Sequence, residues 1–126
     1  MEIPANLKYT EEHEWLRLEE DNIAYVGITD FAQGELGEIV YVEVNTVGEA
    51  LSANDIFGTV EAVKTTSDLY LPVGGKILEY NTRLENEPEL VNASPYGDGW
   101  IIKMEVRNPV DVQNLLDADA YEAIAG

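Results

Sequence analysis

The chain contains no cysteine. That excludes a disulfide framework, a thiolate nucleophile and a cysteine-based metal site. If the protein takes part in redox chemistry, the sulfur or the electron carrier must be added from outside. There is a single histidine, His13, so a multi-histidine metal centre is excluded as well. Basic residues are scarce, seven against twenty-five acidic ones, for a formal net charge of -18. Such a chain repels a phosphate backbone, so no nucleic-acid partner is expected. The charge keeps the protein dispersed in water, steers it toward basic partner surfaces, or does both. No apolar run approaches the roughly 20 residues needed to cross a bilayer, and no membrane role is expected. The N-terminal Met1-Glu2-Ile3-Pro4-Ala5-Asn6 has neither a basic n-region nor an apolar h-region. It also lacks the arginine-rich character of a transit peptide, so the expected location is the cytoplasm. Finally, there is no serine in a Gly-x-Ser-x-Gly setting, no P-loop and no dinucleotide-binding glycine fingerprint.

What is present is a series of short β-like runs. A length of 126 residues suits one domain, and no linker or low-complexity stretch divides it, so residues 1–126 are read as a single unit. Trp15, Leu16 and Leu18 open a strand, Glu19 to Asn22 make a polar turn, and Ile23 to Ile28 return as a second strand. Thr29-Asp30 can cap a short helix that Gly34 and Gly37 limit, with Phe31, Leu36 and Ala32 turned inward. Glu38 to Val44 is the clearest strand. Ser94 to Gly99 is dense turn chemistry, and Trp100 to Val106 is a closing strand. Asn108 or Asp111 starts a helix expected to run through Val112, Leu115 and Leu116, with a second helical piece from Asp119 to Ile124. Gly37-Glu38-Ile39-Val40 is weakly echoed by Gly75-Lys76-Ile77-Leu78. Many short strands between Gly, Pro and Asn turns predict a mainly β fold, a sandwich or flattened barrel, with short peripheral helices.

The stretch from Phe57 to Tyr80 carries the most information. Two β-like runs flank Lys64, and the polar patch Thr65-Thr66-Ser67-Asp68 reads as the turn between them. A Schiff-base lysine needs burial or a cationic neighbour. The nearest charges here are Glu61 and Asp68, which favour the protonated amine, so Lys64 is a poor nucleophile. It is either a plain surface lysine or an accessible attachment point for a long arm. His13 with Glu12 and Glu14 could bind a metal ion weakly. Adjacent strand residues point to opposite faces, however, which favours a structural histidine and no metal site. Glu14 and Asp68 could pair as acids, although in so acidic a chain two carboxylates identify little. The tryptophans and tyrosines read as core and rim.

Taken in order, these residues resemble the H proteins of the glycine cleavage system. The resemblance runs through Leu7-Lys8-Tyr9-Thr10, His13-Glu14-Trp15 and Gly27-Ile28-Thr29-Asp30-Phe31-Ala32-Gln33. It continues in Leu36 to Glu43 and in Gly58-Thr59-Val60-Glu61-Ala62-Val63-Lys64. It ends in Pro88-Glu89-Leu90-Val91-Asn92 and Ser94 to Trp100. The resemblance implies a lipoyl-domain-like barrel-sandwich hybrid with a C-terminal helix, and a monomer. It implies that lipoate is attached to Lys64 in amide linkage, supplying the redox-active sulfur that a chain without cysteine lacks. The implied partners are a glycine decarboxylase (P protein) that loads an aminomethyl group and an aminomethyltransferase (T protein) that passes it to tetrahydrofolate. A dihydrolipoamide dehydrogenase (L protein) reoxidises the dithiol, and lipoylating enzymes install the arm. The chain would then be a carrier with no independent active site. The loaded arm is implied to rest in a cleft, with Glu14 and Asp68 facing the amino group and His13 and Glu12 nearby. Glu12 stands where relatives have serine, and Ala62, Leu71, Gly74 and Lys76 also differ from the usual pattern.

Two other readings remain beside this one. A lipoyl or biotinyl carrier of another complex, or a lipoate relay for a 2-oxoacid dehydrogenase, shares the lysine-bearing hairpin. Biotin modules usually flank the lysine with methionine, where this chain has Val63 and Thr65. A stand-alone enzyme using the carboxylates has no motif behind it.

Overall fold

The computed structural model describes residues 1–125. Strands β1 (Lys8–Tyr9), β2 (Glu14–Leu18) and β3 (Ile23–Ile28) lead into helix α1 (Asp30–Leu36). Then come β4 (Ile39–Glu43), β5 (Ala50–Leu51), β6 (Ile56–Ala62), β7 (Thr66–Tyr70) and β8 (Gly75–Tyr80). Helix α2 (Leu90–Ala93), β9 (Ile102–Val106), α3 (Val110–Gln113) and α4 (Ala118–Ala125) complete the described chain.

The strands form two separate sheets. One has six strands in the order β1-β2-β3-β9-β8-β5, and the other has three, in the order β4-β6-β7. This corrects the expected mainly β, flattened-barrel fold: the sheets do not close into a barrel, and with four helices the fold is mixed α/β. Closure requires a continuous hydrogen-bonded ladder. Here side chains of the larger sheet take the edge groups of the smaller one instead. The Tyr80 hydroxyl of β8 donates to the Val42 carbonyl of β4 at 3.0 Å. At the other edge, the Tyr70 N–H of β7 donates to the Glu14 carboxylate of β2 at 3.2 Å. Both protected edges leave fewer backbone groups free for another chain to pair with.

Local patterns explain most elements. The hairpin β2/β3 pairs Leu18 with Ala24, and its turn places Asp21 and Asn22 at φ 57 and 62. Asp and Asn tolerate that left-handed region better than most residues. Thr29 caps α1, its side chain accepting from the Ala32 N–H at 3.1 Å. Gly37, at φ 83, ends the same helix.

Two expectations fail locally. The turn before β7 is shorter than the polar patch suggested. Thr66, Ser67 and Asp68 are strand residues paired with Glu61, Val60 and Thr59, because β-branched Thr66 extends readily once β6 offers a ladder. The helix expected to run through Leu116 stops at Gln113. The Leu116 backbone is taken by Tyr9 instead, through reciprocal bonds of 2.8 and 2.9 Å. The sequence echo divides between the sheets, with Ile39 in β4 and Ile77 in β8, both buried.

Two cores result. A large aliphatic core lies between the sheets, including Val26, Val60, Leu69, Ile77, Ile102 and Met104. A smaller, mainly aromatic core joins Leu7, Tyr9, Trp15 and Tyr121. There the Tyr9 and Tyr121 rings stack at 4.7 Å.

Candidate functional site

Lys64 sits where β6 turns into β7. The last register pair is Glu61 with Thr66, and the Ala62 N–H donates to the Thr65 carbonyl at 2.7 Å. A third contact holds the turn, from the Val63 N–H to the Glu38 carbonyl at 3.1 Å. Within the hairpin, buried Val60 and Ala62 alternate with exposed Glu61 and Val63, which anchors one face in the aliphatic core. The tip itself is open: Val63 is 72% exposed, and Lys64 and Thr65 are exposed too. The Lys64 stem lies beside Gly37, with Cε 3.7 Å from where a Cβ would stand.

Next to Gly37 along the chain, α1 borders a cleft of about 240 Å³. Phe31, Ala32 and Leu36 give it an apolar wall. Glu12, His13, Glu35 and Ser67 supply its polar groups. The structure therefore brings Glu12 and His13 together in one cavity. Ser67 belongs to the Thr65–Asp68 patch, which the sequence reads as the turn and one rim of the arm's cleft, whereas nothing in the sequence singles out Glu35. Ser67 reaches the cleft from strand β7 rather than from a turn, and Glu35 is one helical glutamate among many acids.

His13 is at φ 70, immediately before β2. Its Nδ1 is 2.8 Å from the Tyr121 hydroxyl, and its ring packs on Phe31 at 4.7 Å. Burial lowers its pKa, against the raising influence of Glu12 and Glu35. Among the described residues, no group of three or more His, Asp or Glu side chains gathers as a cation site.

Glu14 lies elsewhere. It is 2% exposed and does not line the cleft. Its carboxylate accepts from the Thr10 hydroxyl at 2.7 Å and from the Tyr70 N–H at 3.2 Å. Burial pushes its pKa up to about 7, although both hydrogen bonds pull the other way. Asp68 is exposed on β7, opposite Thr59, two residues from Tyr70. The two acids thus occupy the two strands that meet at the seam between the sheets, one buried and one open.

Residues 7–125 match the family model described as glycine cleavage H-protein. The chain belongs to the glycine cleavage H-protein family. It is 59% identical over 124 residues to the glycine cleavage system H protein of Bacteroides fragilis, covering 98% of each chain. It is 60% identical, with the same coverage, to that of Bacteroides thetaiotaomicron. It is also similar to the crystal structure of a glycine cleavage system H protein from Mycobacterium marinum, with a TM-score of 0.87 and 37% identity. That match covers 96% of this chain and 97% of the other. Membership makes the protein a lipoyl-carrying shuttle of glycine cleavage rather than a free-standing catalyst. It implies a lipoyl-lysine and dealings with the P, T and L proteins of that system. Among the described residues, no helix is long and apolar enough to cross a membrane.

Proposed function

We propose that Lys64 is the lipoylated lysine and that residues 1–126 act as one monomeric carrier domain around it. The observation that carries this reading is the placement of Lys64. The chain has four lysines, and Lys8, Lys76 and Lys103 lie inside β1, β8 and β9. Lys64 alone projects from a hairpin tip, where a modifying enzyme can reach it, and its stem already lies beside Gly37 near the cleft.

The residues present fit a lipoyl arm. Phe31, Ala32 and Leu36 would face its hydrocarbon portion. Glu12 and Glu35 would attract a protonated amine at its end. Glu14 and Asp68, at the seam, are proposed as further acids that bias the region toward a cation. When bound, the group supplies a cyclic disulfide that opens during group transfer and is restored by oxidation. The chain's own task is to mount, orient and shelter. The rigid pair β6/β7 fixes the attachment point, and the cleft withdraws the arm's end from water. A chain without cysteine has no thiol of its own to trap the disulfide. Glycine decarboxylase would load the arm, the aminomethyltransferase would unload it, and dihydrolipoamide dehydrogenase would reoxidise it. The strongly acidic surface would steer the shuttle toward basic patches on these partners.

Intact-mass measurement of protein made with lipoate available tests the reading. One lipoyl adduct is expected, located on Lys64 by peptide mapping. The adduct should vanish in Lys64→Arg, together with glycine-dependent decarboxylation in the reconstituted system. Normal rates from Lys64→Arg would overturn the assignment.

A further inference from the structure

The aromatic core reaches the cleft through one chain of hydrogen bonds. The Thr29 hydroxyl oxygen accepts from the Ala32 N–H at 3.1 Å and lies 2.7 Å from the Tyr121 hydroxyl. The Tyr121 hydroxyl lies in turn 2.8 Å from His13 Nδ1. Thr29 and Tyr121 are each 0% exposed, so water cannot take up an unused proton.

Counting protons along this chain fixes its direction. Each hydroxyl has one proton to donate. If His13 Nδ1–H donated to Tyr121, the Tyr121 proton would turn to Thr29. The buried Thr29 proton would then have no acceptor among the described residues, which is costly. In the opposite direction both buried hydroxyl protons are used. Thr29 donates to the Tyr121 oxygen, Tyr121 donates to His13 Nδ1, and the Ala32 N–H fills the start of the chain. His13 then carries its proton on Nε2, on the ring edge away from Tyr121, and the ring lines the cleft.

We infer that Tyr121 is a positioning residue that holds His13 as a neutral imidazole with Nε2–H offered to the cleft. The groups facing His13 are Glu12 from its own loop, Phe31 and Glu35 from α1, and Tyr121 from α4. A second proton on His13 would reverse the chain and strand the Thr29 proton. Burial acts in the same sense, lowering the pKa of His13. The cleft therefore presents an uncharged imidazole donor, beside the Ser67 hydroxyl, together with the carboxylates of Glu12 and Glu35. That set suits a ligand end carrying a cation next to an acceptor atom, and an imidazolium there would oppose the cation. The use of the donor rests on the proposed reading of the cleft as the resting place of the arm, whereas its geometry does not.

Nitrogen-15 NMR of the imidazole tests this directly. His13 is the only histidine, so every imidazole signal belongs to it. In the unmodified full chain at neutral pH, Nδ1 is expected at an acceptor-type shift and Nε2 at a protonated one. In Tyr121→Phe, which keeps the ring against Tyr9, the Nδ1 signal should move to the value of an acceptor with no donor. A protonated Nδ1 in the wild-type chain, or an Nδ1 signal unmoved by Tyr121→Phe, overturns the inference. The wild-type spectrum alone decides the tautomer if the variant does not fold. In protein whose mass confirms lipoylation, the Nε2–H signal should shift relative to the unmodified chain. A lipoylated protein with an unshifted signal removes the donor's role toward the arm. A missing lipoyl adduct removes the proposed function and leaves the tautomer result standing.

Discussion

The hairpin tip and the aromatic core divide the molecule's work in opposite ways. At the tip, Val63, Lys64 and Thr65 are exposed, and the rest of the fold does not depend on their side chains. In the aromatic core, Tyr9, Trp15 and Tyr121 are 0% exposed and each side chain has a polar tip that finds a partner. Tyr9 donates to the Pro4 carbonyl, and the Trp15 indole N–H donates to the Pro95 carbonyl at 2.9 Å. Tyr121 meets His13 and Thr29. The tip can lose its chemistry without losing the fold. The aromatic core is tied to the cleft through Tyr121, whose hydroxyl meets His13. The aliphatic core between the sheets offers no such directionality, because dispersion and burial do not specify a proton or an angle.

The sharpest way to break this contrast is at the tip. Lys64→Arg should abolish lipoylation completely while the melting temperature stays within about two degrees of wild type, as expected for an exposed substitution within about 0.5 kcal/mol. A large drop in melting temperature would mean that the tip is structural after all. In the aromatic core the balance should reverse. Trp15→Ala should lower unfolding free energy by about 3–5 kcal/mol in denaturant titration. Whatever fraction stays folded should still accept lipoate, since Lys64 does not touch that core.

The seam lies between the two regions and should respond to pH. The Glu14 pKa is raised from 4.5 to about 7 in the folded protein. A raised carboxyl binds its proton more tightly folded than unfolded. Its contribution to stability is thus fully present below about pH 4.5 and lost as pH rises through about 7. Glu14→Gln, which keeps the shape without the titration, should remove that part of the pH dependence, at most about 3 kcal/mol between pH 4 and pH 8. Identical stability profiles for the two proteins would show that Glu14 titrates normally. A smaller effect tests the packing of Trp15. A Cβ on Gly27 would come 2.7 Å from the indole Nε1, so Gly27→Ala must displace the ring from Pro95. Thermal unfolding should show a loss of about 1–3 kcal/mol, the usual cost of overpacking.

Much of the lysine-bearing hairpin was legible in the chain itself. Alternation through Val60 and Ala62 placed the inward face, and the polar residues after Val63 signalled a reversal. They were too generous a signal, since Thr66 and Asp68 join the strand. The start and end of α1 were equally legible, because a threonine cap and a glycine stop act within one turn. What could not be read was which acid would be buried. Glu14 and Glu12 look alike in the sequence. Their environments diverge because Tyr70, 56 residues away, brings an edge N–H to one of them.

The barrel expectation failed for a related reason. Short strands and turns specify that sheets form, but they do not say whether the last strand finds the first. In this protein Tyr80 and Glu14 side chains occupy the edges of the smaller sheet, and the ladder ends there.

Composition and near neighbours therefore settle the lack of cysteine, the acidity, the hairpins, the capped helix and a lysine at a turn. These depend on composition or on neighbours within a few residues, where backbone preference and side-chain alternation act. Packing of distant elements alone puts Lys64 beside Gly37, seals Glu14 in the seam, and turns Tyr121 toward both His13 and Thr29. The last two contacts span 108 and 92 residues. Such pairings arise from packing of the whole chain. Once water is excluded, each buried polar group must find the partner that packing brings to it.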